Sequence, residues 1–215
     1  MEAPSRVVQE TATLNSQPPL TRVGFITIEN VVASANLGVR IDLKALKRAI
    51  PKLEIVHVVE SNVDAYAGVY RVDDPKSATL IFQSGKMVCT GAKSTKDAET
   101  VVGTIKNEFD EKGIKVMKTP DVQIQNVVAS AGLGGYIDLE KATNSLKRIM
   151  YEPEQFPGVI YRMDDPKVVI LLFASGKLVC TGAKKESEVH RAITKLQDTL
   201  EEKTLITYKQ AEAVP

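Results

Sequence analysis

The sequence predicts an α+β fold, in which two copies of one unit share a core and helices cover one side of a mostly antiparallel sheet. Three observations indicate this fold: an internal duplication, short strand-like runs separated by turns, and two long helical segments that each carry one apolar stripe. The clearest part of the duplication is residues 71–93, which match residues 162–184 at 16 of 23 positions. Because the unit is about 90 residues long and occurs only twice, we expect a pseudo-twofold pair and not a solenoid.

Each unit contains the same succession of elements. Strands are predicted from runs of Val, Ile and Thr, turns from Gly and Asp-Pro, and helices from a capping residue before an apolar stripe. In the first unit the elements are a strand over about 23–35, a short helix capped by Asp42 and stopped by Pro51, a Val- and Tyr-rich stretch ending at Arg71, a turn at Asp73-Asp74-Pro75, strands over 77–83 and 86–92, and a helix from Ser94 to Gly113.

Composition excludes several classes of protein. No apolar run in the 215 residues approaches the ~18 that a membrane-spanning helix needs. Two cysteines and two histidines are too few for a disulfide framework or a zinc site, and we expect no metal and no cofactor. The 28 Lys and Arg residues nearly balance the 27 Asp and Glu residues, which argues against nucleic-acid binding through bulk positive charge but not through local basic positions.

The duplication divides the chain into four predicted segments. These are a flexible N-terminal segment over 1–21, a first repeat over 22–118, a second repeat over 119–209 and a tail over 210–215. The first 20 residues lack the apolar stretch of a signal peptide, so we expect a cytoplasmic protein.

One face of the predicted sheet is unusually apolar. Helices on one side bury only one face, and the other face of an antiparallel sheet is ordinarily polar. The strand segments 79–82 and 170–173 carry no charge on either face. An uncovered apolar surface of this size marks an interface, whereas a closed barrel or a sheet-to-sheet dimer would cover it.

Phenylalanines are predicted to cluster at one end of this face. A turn centred between Asp164 and Asp165 places Phe156 opposite Phe173 in a hairpin. The same geometry in the first repeat places Ala65 opposite Phe82. Paired rings usually belong to a core, but on an uncovered face they can act as a wedge.

Three motifs resemble those of the TATA-box-binding protein family, and especially its archaeal members. They are the run 125–128 (Gln-Asn-Val-Val), the run 151–158 (Tyr-Glu-Pro-Glu-Gln-Phe-Pro-Gly), and a ten-residue motif, Ser-Gly-Lys-x-Val-Cys-Thr-Gly-Ala-Lys, at 84–93 and 175–184. The resemblance covers about residues 22–200. It implies a saddle, in which a curved ten-stranded antiparallel sheet carries four helices on its convex side and grips the DNA minor groove with its concave side.

The resemblance also implies which residues contact DNA. An Asn and a Thr from each repeat would donate hydrogen bonds to base acceptors, Val and Leu would supply apolar contact, and Phe would insert between base steps to kink the duplex. The groove-contacting residues are then Asn30, Val32, Leu80, Phe82, Val88, Thr90, Asn126, Val128, Phe156, Leu171, Phe173, Val179 and Thr181. Phosphate contacts fall to Arg71, Ser84, Lys86, Lys93, Arg162, Ser175, Lys177 and Lys184.

Partners follow from the same resemblance. Glu152 and Glu154 match acidic positions that contact transcription factor B in the family, and RNA polymerase is recruited through that factor. Gln155 replaces an apolar residue common in the family. The first repeat has no matching Glu-Pro-Glu, so one-sided docking is expected.

Two positions depart from the family pattern. Ala65 occupies the place of the fourth wedge, just after a five-residue insertion within 51–64, so weaker kinking is expected at that end. A shift that brought Tyr66 to the same place would have to change the face on which it lies. Glu29 stands where the second repeat has Gln125, and a carboxylate near phosphate is unfavourable.

No enzyme is expected. Cys89 and Cys180 alternate with the groove-facing residues and should be buried against the helices, and His57 and His190 should lie at the surface. The favoured function is a general promoter-binding factor, in an archaeal cytoplasm since no long low-complexity segment precedes the repeats, or in a nucleus if the organism is eukaryotic. The alternatives are a divergent paralogue with reduced TATA specificity, and a sheet protein that dimerises and has no role on DNA.

Overall fold

The computed structural model describes residues 23–60, 63–116 and 119–208, without the side chains of 59, 60 and 63–65. The predicted segments 1–21 and 210–215 lie outside the described residues. Its strands are β1 (Phe25–Asn36), β2 (Glu54–Glu60), β3 (Val63–Val72), β4 (Ser77–Phe82), β5 (Lys86–Ala92), β6 (Val122–Gly132), β7 (Gly135–Ile137), β8 (Ile149–Tyr151), β9 (Gly158–Met163), β10 (Val168–Phe173), β11 (Lys177–Ala183) and β12 (Ile206–Tyr208).

Ten of these strands form one antiparallel sheet in the order β2-β3-β4-β5-β1-β6-β11-β10-β9-β8. The order is symmetric about the β1–β6 pair, which joins the two repeats. The sheet ends in two edge strands, β2 and β8, so it is not a closed barrel. The short strands β7 and β12 pair separately and were not predicted.

Four helices accompany the sheet, namely α1 (Leu43–Ala49), α2 (Thr95–Glu111), α3 (Leu139–Ser145) and α4 (Glu186–Glu202). The α1 cap is the predicted one, because the Asp42 carboxylate accepts from the backbone N–H groups of Lys44 and Ala45. Ser94 caps α2 by accepting from the Asp97 N–H at 3.0 Å. The predicted ten-stranded saddle with four helices is confirmed.

The core lies between the long helices and one face of the sheet. The apolar stripes of α2 and α4 are fully buried against alternate residues of the central strands, such as Val31, Ala33, Val127 and Ala129. The buried residues of the two stripes are Ala98, Val101, Val102, Ile105, Phe109, Val189, Ala192, Ile193, Leu196 and Leu200. The apolar stripe predicted in each long helical segment is therefore the face that the helix buries.

The predicted hairpin registers are wrong by two residues. Phe173 lies opposite Gly158 and not Phe156, and Phe82 lies opposite Ala67 and not Ala65. The reason is the turn, because all four residues 164–167 lie between β9 and β10. Its centre therefore falls between Asp165 and Pro166, one residue later than predicted.

The two ends of the sheet differ because of the insertion in the first repeat. There β2 and β3 are seven and ten residues long and form an extended hairpin. In the second repeat β8 has three residues and β9 has six, and a loop containing Glu152 and Glu154 joins them. The extra residues therefore lengthen a hairpin at one edge of the sheet. Within the described ranges no helix is long and apolar enough to cross a membrane.

Candidate nucleic-acid interface

The side of the ten-stranded sheet opposite the helices is called the open face here. Burial alternates along β4 and β10, so that one residue in two is buried under the helices and the next is only half-buried. The half-buried residues on the open face include Leu80, Phe82, Leu171 and Phe173. The predicted groove residues of β1, β5, β6 and β11 share this face through the strand pairings.

One Asn–Thr pair from each repeat lies near the centre of the open face. Asn30 Nδ2 donates to Thr90 Oγ1 at 3.1 Å, and Asn126 Nδ2 donates to Thr181 Oγ1 at the same distance. An amide nitrogen has two N–H groups and the threonine takes one, so the second can donate to a ligand. The two pairs thus present equivalent donors on either side of the pseudo-twofold axis.

A glycine bulge fixes the orientation of each asparagine. The N–H groups of Gly91 and Gly182 donate to Asn30 Oδ1 and Asn126 Oδ1 at 2.7 and 2.8 Å. Both glycines have positive φ, +101° and +97°, where a residue with Cβ is strained. Because the oxygen of each amide is held by backbone, its nitrogen faces the ligand side.

Two phenylalanine rings meet at the β8–β10 end of the open face. The ring centroids of Phe156 and Phe173 are 5.6 Å apart and their planes are inclined at 58°. The prediction that the rings lie together therefore holds, although Phe156 belongs to the loop before β9. Gly158 permits the contact, since a Cβ there would lie 3.0 Å from both rings and 2.9 Å from the Leu172 carbonyl oxygen.

The equivalent end of the first repeat has one ring. Ala67 replaces Gly158 opposite Phe82, and Ala65 replaces Phe156, although its side chain lies outside the described residues. Tyr66 does not substitute, because it alternates with Ala67 and pairs with His57 on the other face, with ring centroids 5.1 Å apart. Tyr66 therefore lies on the face that the sequence alternation assigned to it, and not at the wedge position.

The predicted phosphate-contacting residues flank the apolar surface at the strand ends. The strand pairings place Arg71 and Lys93 along the same border of the open face, formed by strand ends, as Ser175 and Lys177. The opposite border carries Ser84, Lys86, Arg162 and Lys184, as the pseudo-twofold symmetry requires. Arg71 is engaged by Glu54 at 3.5 Å, an exposed pair that a stronger anion can displace.

Glu29 makes an electrostatic asymmetry near the centre of the open face. Its carboxylate accepts from Ser130 Oγ at 2.6 Å and lies 3.4 Å from Lys93 Nζ, which also donates to the Glu29 carbonyl oxygen. The hydrogen bond from Ser130, followed by that from Lys93, holds the pKa of Glu29 below its ordinary value. In the second repeat, Gln125 instead donates to Ser34 Oγ at 2.7 Å, without a carboxylate.

A bulge in β1 changes the face on which its first residues lie. The sequence pattern places Phe25 and Glu29 in alternation with Val31, but the register shifts between Ile28 and Asn30 and Val31 is buried. Phe25 consequently lies on the open face, with half of its side chain exposed (49%). The sequence prediction missed this residue, since alternation alone does not reveal a bulge.

The remaining candidate residues lie where the sequence predicted. Cys89 and Cys180 are buried on the helix side, and burial raises the pKa of Cys180 to about 11, which makes it an inert thiol. His57 and His190 are exposed, as are Glu152 and Glu154 in the loop after β8. Among the described residues, no group of three or more His, Cys, Asp or Glu side chains is arranged to hold a metal ion.

Comparison with known proteins shows the family to which this chain belongs. The family model "Transcription factor TFIID (or TATA-binding protein, TBP)" matches residues 25–111 and 121–203, once in each repeat. The chain belongs to the TATA-binding protein family. The TATA-box-binding protein of Pyrodictium occultum is 50% identical over 174 residues, which are 80% of this chain and 84% of that protein. That of Sulfolobus acidocaldarius is 48% identical over 178 residues, 82% and 87% of the two chains.

A solved structure agrees with this family. The structure of Methanococcus jannaschii TBP superimposes with a TM-score of 0.70 at 43% identity, and covers 83% of this chain and 98% of that one. The TATA-binding proteins are general transcription factors that bind DNA and are not enzymes. The predicted family is therefore confirmed, and so is the coarse prediction of a DNA-binding transcription factor.

The alternation along β11 is tested by thiol chemistry at two adjacent residues. The thiols of Cys89 and Cys180 should react with a disulfide reagent at pH 8 only after unfolding, because both are buried. A third thiol introduced by Val179→Cys should react within the native protein, because residue 179 lies on the open face. Reaction of Cys180 at the rate of the introduced thiol would contradict the assigned faces. The measurement is thiolate release followed by absorbance, with and without denaturant.

Proposed function

We propose that this TATA-binding protein is a general transcription initiation factor that binds the minor groove of TATA-like promoters, bends the DNA and recruits transcription factor B. RNA polymerase is recruited through that factor. The observation that carries the proposal is the pair of backbone-oriented asparagine donors at the centre of an apolar open face. The relatives reported above are archaeal, so we place the protein on the DNA of an archaeal cell.

The chemistry of the open face suits A·T base pairs. Both orientations of an A·T pair present only acceptors in the minor groove, whereas G·C adds an amino donor. Asn30 and Asn126 donate to those acceptors, assisted by the hydroxyls of Thr90 and Thr181. An apolar surface leaves a guanine amino group without an acceptor, and burying it so is costly. The apolar contacts are Val32, Leu80, Val88, Val128, Leu171 and Val179.

The phenylalanines supply the bend. Unstacking a base step costs a few kcal/mol, which is offset by the protein surface that the bent duplex contacts. Phe156 and Phe173 provide two rings at one end, against one from Phe82 at the other. The kink is therefore deeper at the end bound by the second repeat.

The flanking Lys, Arg and Ser side chains bind phosphates on both DNA strands. We assign this role to Arg71, Ser84, Lys86, Lys93, Arg162, Ser175, Lys177 and Lys184. Glu29 forms a salt bridge with Lys93, and the net charge of the chain is +1. We therefore infer that the protein makes a modest number of phosphate contacts and that a large share of its affinity for DNA is non-electrostatic.

Glu152 and Glu154 provide the surface for transcription factor B. They are exposed on the loop after β8, at the end of the saddle away from the first repeat. The extended β2–β3 hairpin occupies the equivalent edge of the first repeat, so docking is one-sided. One-sided docking gives the assembly on the promoter a direction.

A second candidate function is favoured by that hairpin and by Ala65. A divergent paralogue would keep the saddle, but bind other promoters or protein partners with reduced TATA preference. The two functions differ in sequence preference and in bend, both of which are measured by the first experiment.

Bending is tested with a short TATA duplex labelled at both ends for energy transfer, beside a duplex in which G·C replaces A·T. Wild-type protein should bind the TATA duplex preferentially and bring its ends together. Phe173→Ala should weaken binding by more than about tenfold and reduce the bend, because it removes a ring that inserts into the stack. The matched variant Phe82→Ala should have a smaller effect on the bend. Equal binding to both duplexes, or no change in transfer, would favour the paralogue.

Glu29 is tested by exchanging it with its counterpart. Glu29→Gln removes a carboxylate and releases Lys93, so affinity for TATA DNA should rise several-fold at about 0.1 M salt. The slope of log K against log salt should steepen by about one counterion. Gln125→Glu, the reciprocal change, should lower both the affinity and the slope. A slope unchanged in both variants would show that Lys93 contacts no phosphate.

Partner docking is tested by charge reversal. The double variant Glu152→Arg and Glu154→Arg should leave TATA affinity and bend within twofold of wild type, because both residues lie away from the open face. Addition of transcription factor B should then fail to retard the complex further in a gel. The control is Glu99→Arg on α2, an exposed change outside this loop. Retardation by the double variant equal to that by the control would place the docking surface elsewhere.

A further inference from the structure

The open face carries an exposed aromatic ring outside the predicted wedge positions. Phe25 begins β1 and lies opposite Gly132, which in turn lies opposite Lys177 at the start of β11. It lines a cleft on the open face together with Ser130, Phe173, Ser175, Lys177 and Val179. The cleft thus combines two aromatic rings, a cation and two hydroxyl groups.

The ring is held in place by the backbone beneath it. A Cβ on Gly132 would lie 2.6 Å from Phe25 Cε1, so the ring packs directly over that glycine. The bulge after Ile28 keeps it on the open face. One surface of the Phe25 ring packs on Gly132 and the other faces the cleft, which is why half of the side chain is exposed.

The corresponding positions of the first repeat carry mostly the same residue types. The offsets of 96 and 91 residues relate Ser130, Phe173, Ser175, Lys177 and Val179 to Ser34, Phe82, Ser84, Lys86 and Val88, which are all the same residue types. The counterpart of Phe25 is Asp121, and the Glu29 carboxylate that accepts from Ser130 has the Gln125 amide, bonded to Ser34, as its counterpart. The Asp121 carboxylate accepts from Gln123 Nε2 at 2.9 Å, and it adds negative charge where the cleft of the second repeat has an apolar ring.

We propose that Phe25 packs against a deoxyribose of the DNA strand at this side, next to a phosphate held by Lys177 and Ser175. A nucleotide backbone offers an apolar sugar surface beside an anion, which matches a ring beside a cation and a hydroxyl. At the counterpart position, Asp121 offers no such apolar surface. The two DNA strands are thus held unequally at the symmetry-related positions, which favours one orientation of the protein on its site. This inference rests on the proposed function.

Hydroxyl-radical footprinting tests the inference, since the radical attacks deoxyribose and reports which sugars are covered. The probe is a TATA duplex, with the G·C duplex beside it. Phe25→Ala should raise Kd by about tenfold, a change of ~1.4 kcal/mol. It should also expose one or two sugars on one strand, while the TATA preference is kept. Asp121→Phe should lower Kd and protect sugars at the symmetry-related position of the other strand.

The outcomes separate the inference from the proposed function. Unchanged footprints in both variants, with TATA preference intact in the wild type, would overturn the role of Phe25 alone. Wild-type protein without TATA preference would overturn the proposed function. Far-UV circular dichroism checks that Phe25→Ala is folded. If it is not, Asp121→Phe decides alone, because residue 121 is exposed and a gain of sugar protection there supports the inference, while its absence overturns it.

Discussion

The antiparallel pairing of β1 with β6 is the constraint on which the rest of the saddle depends. It joins the two repeats through ten pairs of opposing residues and places the pseudo-twofold axis between them. One face of the resulting sheet is buried under α2 and α4, and the other is left open over its whole width. Because the axis passes through this pair, the Asn–Thr pairs, the Val and Leu contacts and the flanking cations of the open face recur in the other half.

The glycine bulges give the open face its polar specificity. A regular strand would have left Asn30 and Asn126 free to rotate, with either end of the amide toward a ligand. Extra residues at Gly91 and Gly182 bring a backbone N–H to each amide oxygen, so the nitrogen is presented instead. Such preorganisation lowers the entropy lost on binding. It also explains why Thr-Gly follows Cys in both repeats.

The departures from twofold symmetry include the extended β2–β3 hairpin and the wedge, with two rings at one end and one at the other. On the open face, Phe25 has Asp121 as its counterpart, and Glu29 has Gln125. A duplicated protein with perfect symmetry binds a near-palindromic site equally well in both orientations. These differences, together with the exposed glutamates after β8, distinguish the two orientations.

Periodicity and capping predicted the helices and the buried stripe, because these depend on local spacing. The duplication predicted the architecture and grouped Asn30, Thr90 and their counterparts. Register was not predictable to the residue, because it depends on how many residues the Asp-Pro turn holds outside the ladder. The position of Phe25 was not predictable either, since the bulge at Glu29 arises from pairing with β6 and not from the local sequence. The predicted contact between Phe156 and Phe173 is nevertheless present. Phenylalanine side chains are long enough to meet although Phe173 lies opposite Gly158, two residues after Phe156.

The central claim is that the open face reads the minor groove of A·T pairs. The most direct test compares duplexes in which the A·T pairs of a TATA site are replaced by inosine·cytosine or by guanine·cytosine. Inosine·cytosine lacks the minor-groove amino group but presents the major groove of G·C. The affinity for the inosine duplex should match that for the TATA duplex, with the guanine duplex bound far more weakly. Equal loss of affinity for both substituted duplexes would contradict minor-groove recognition.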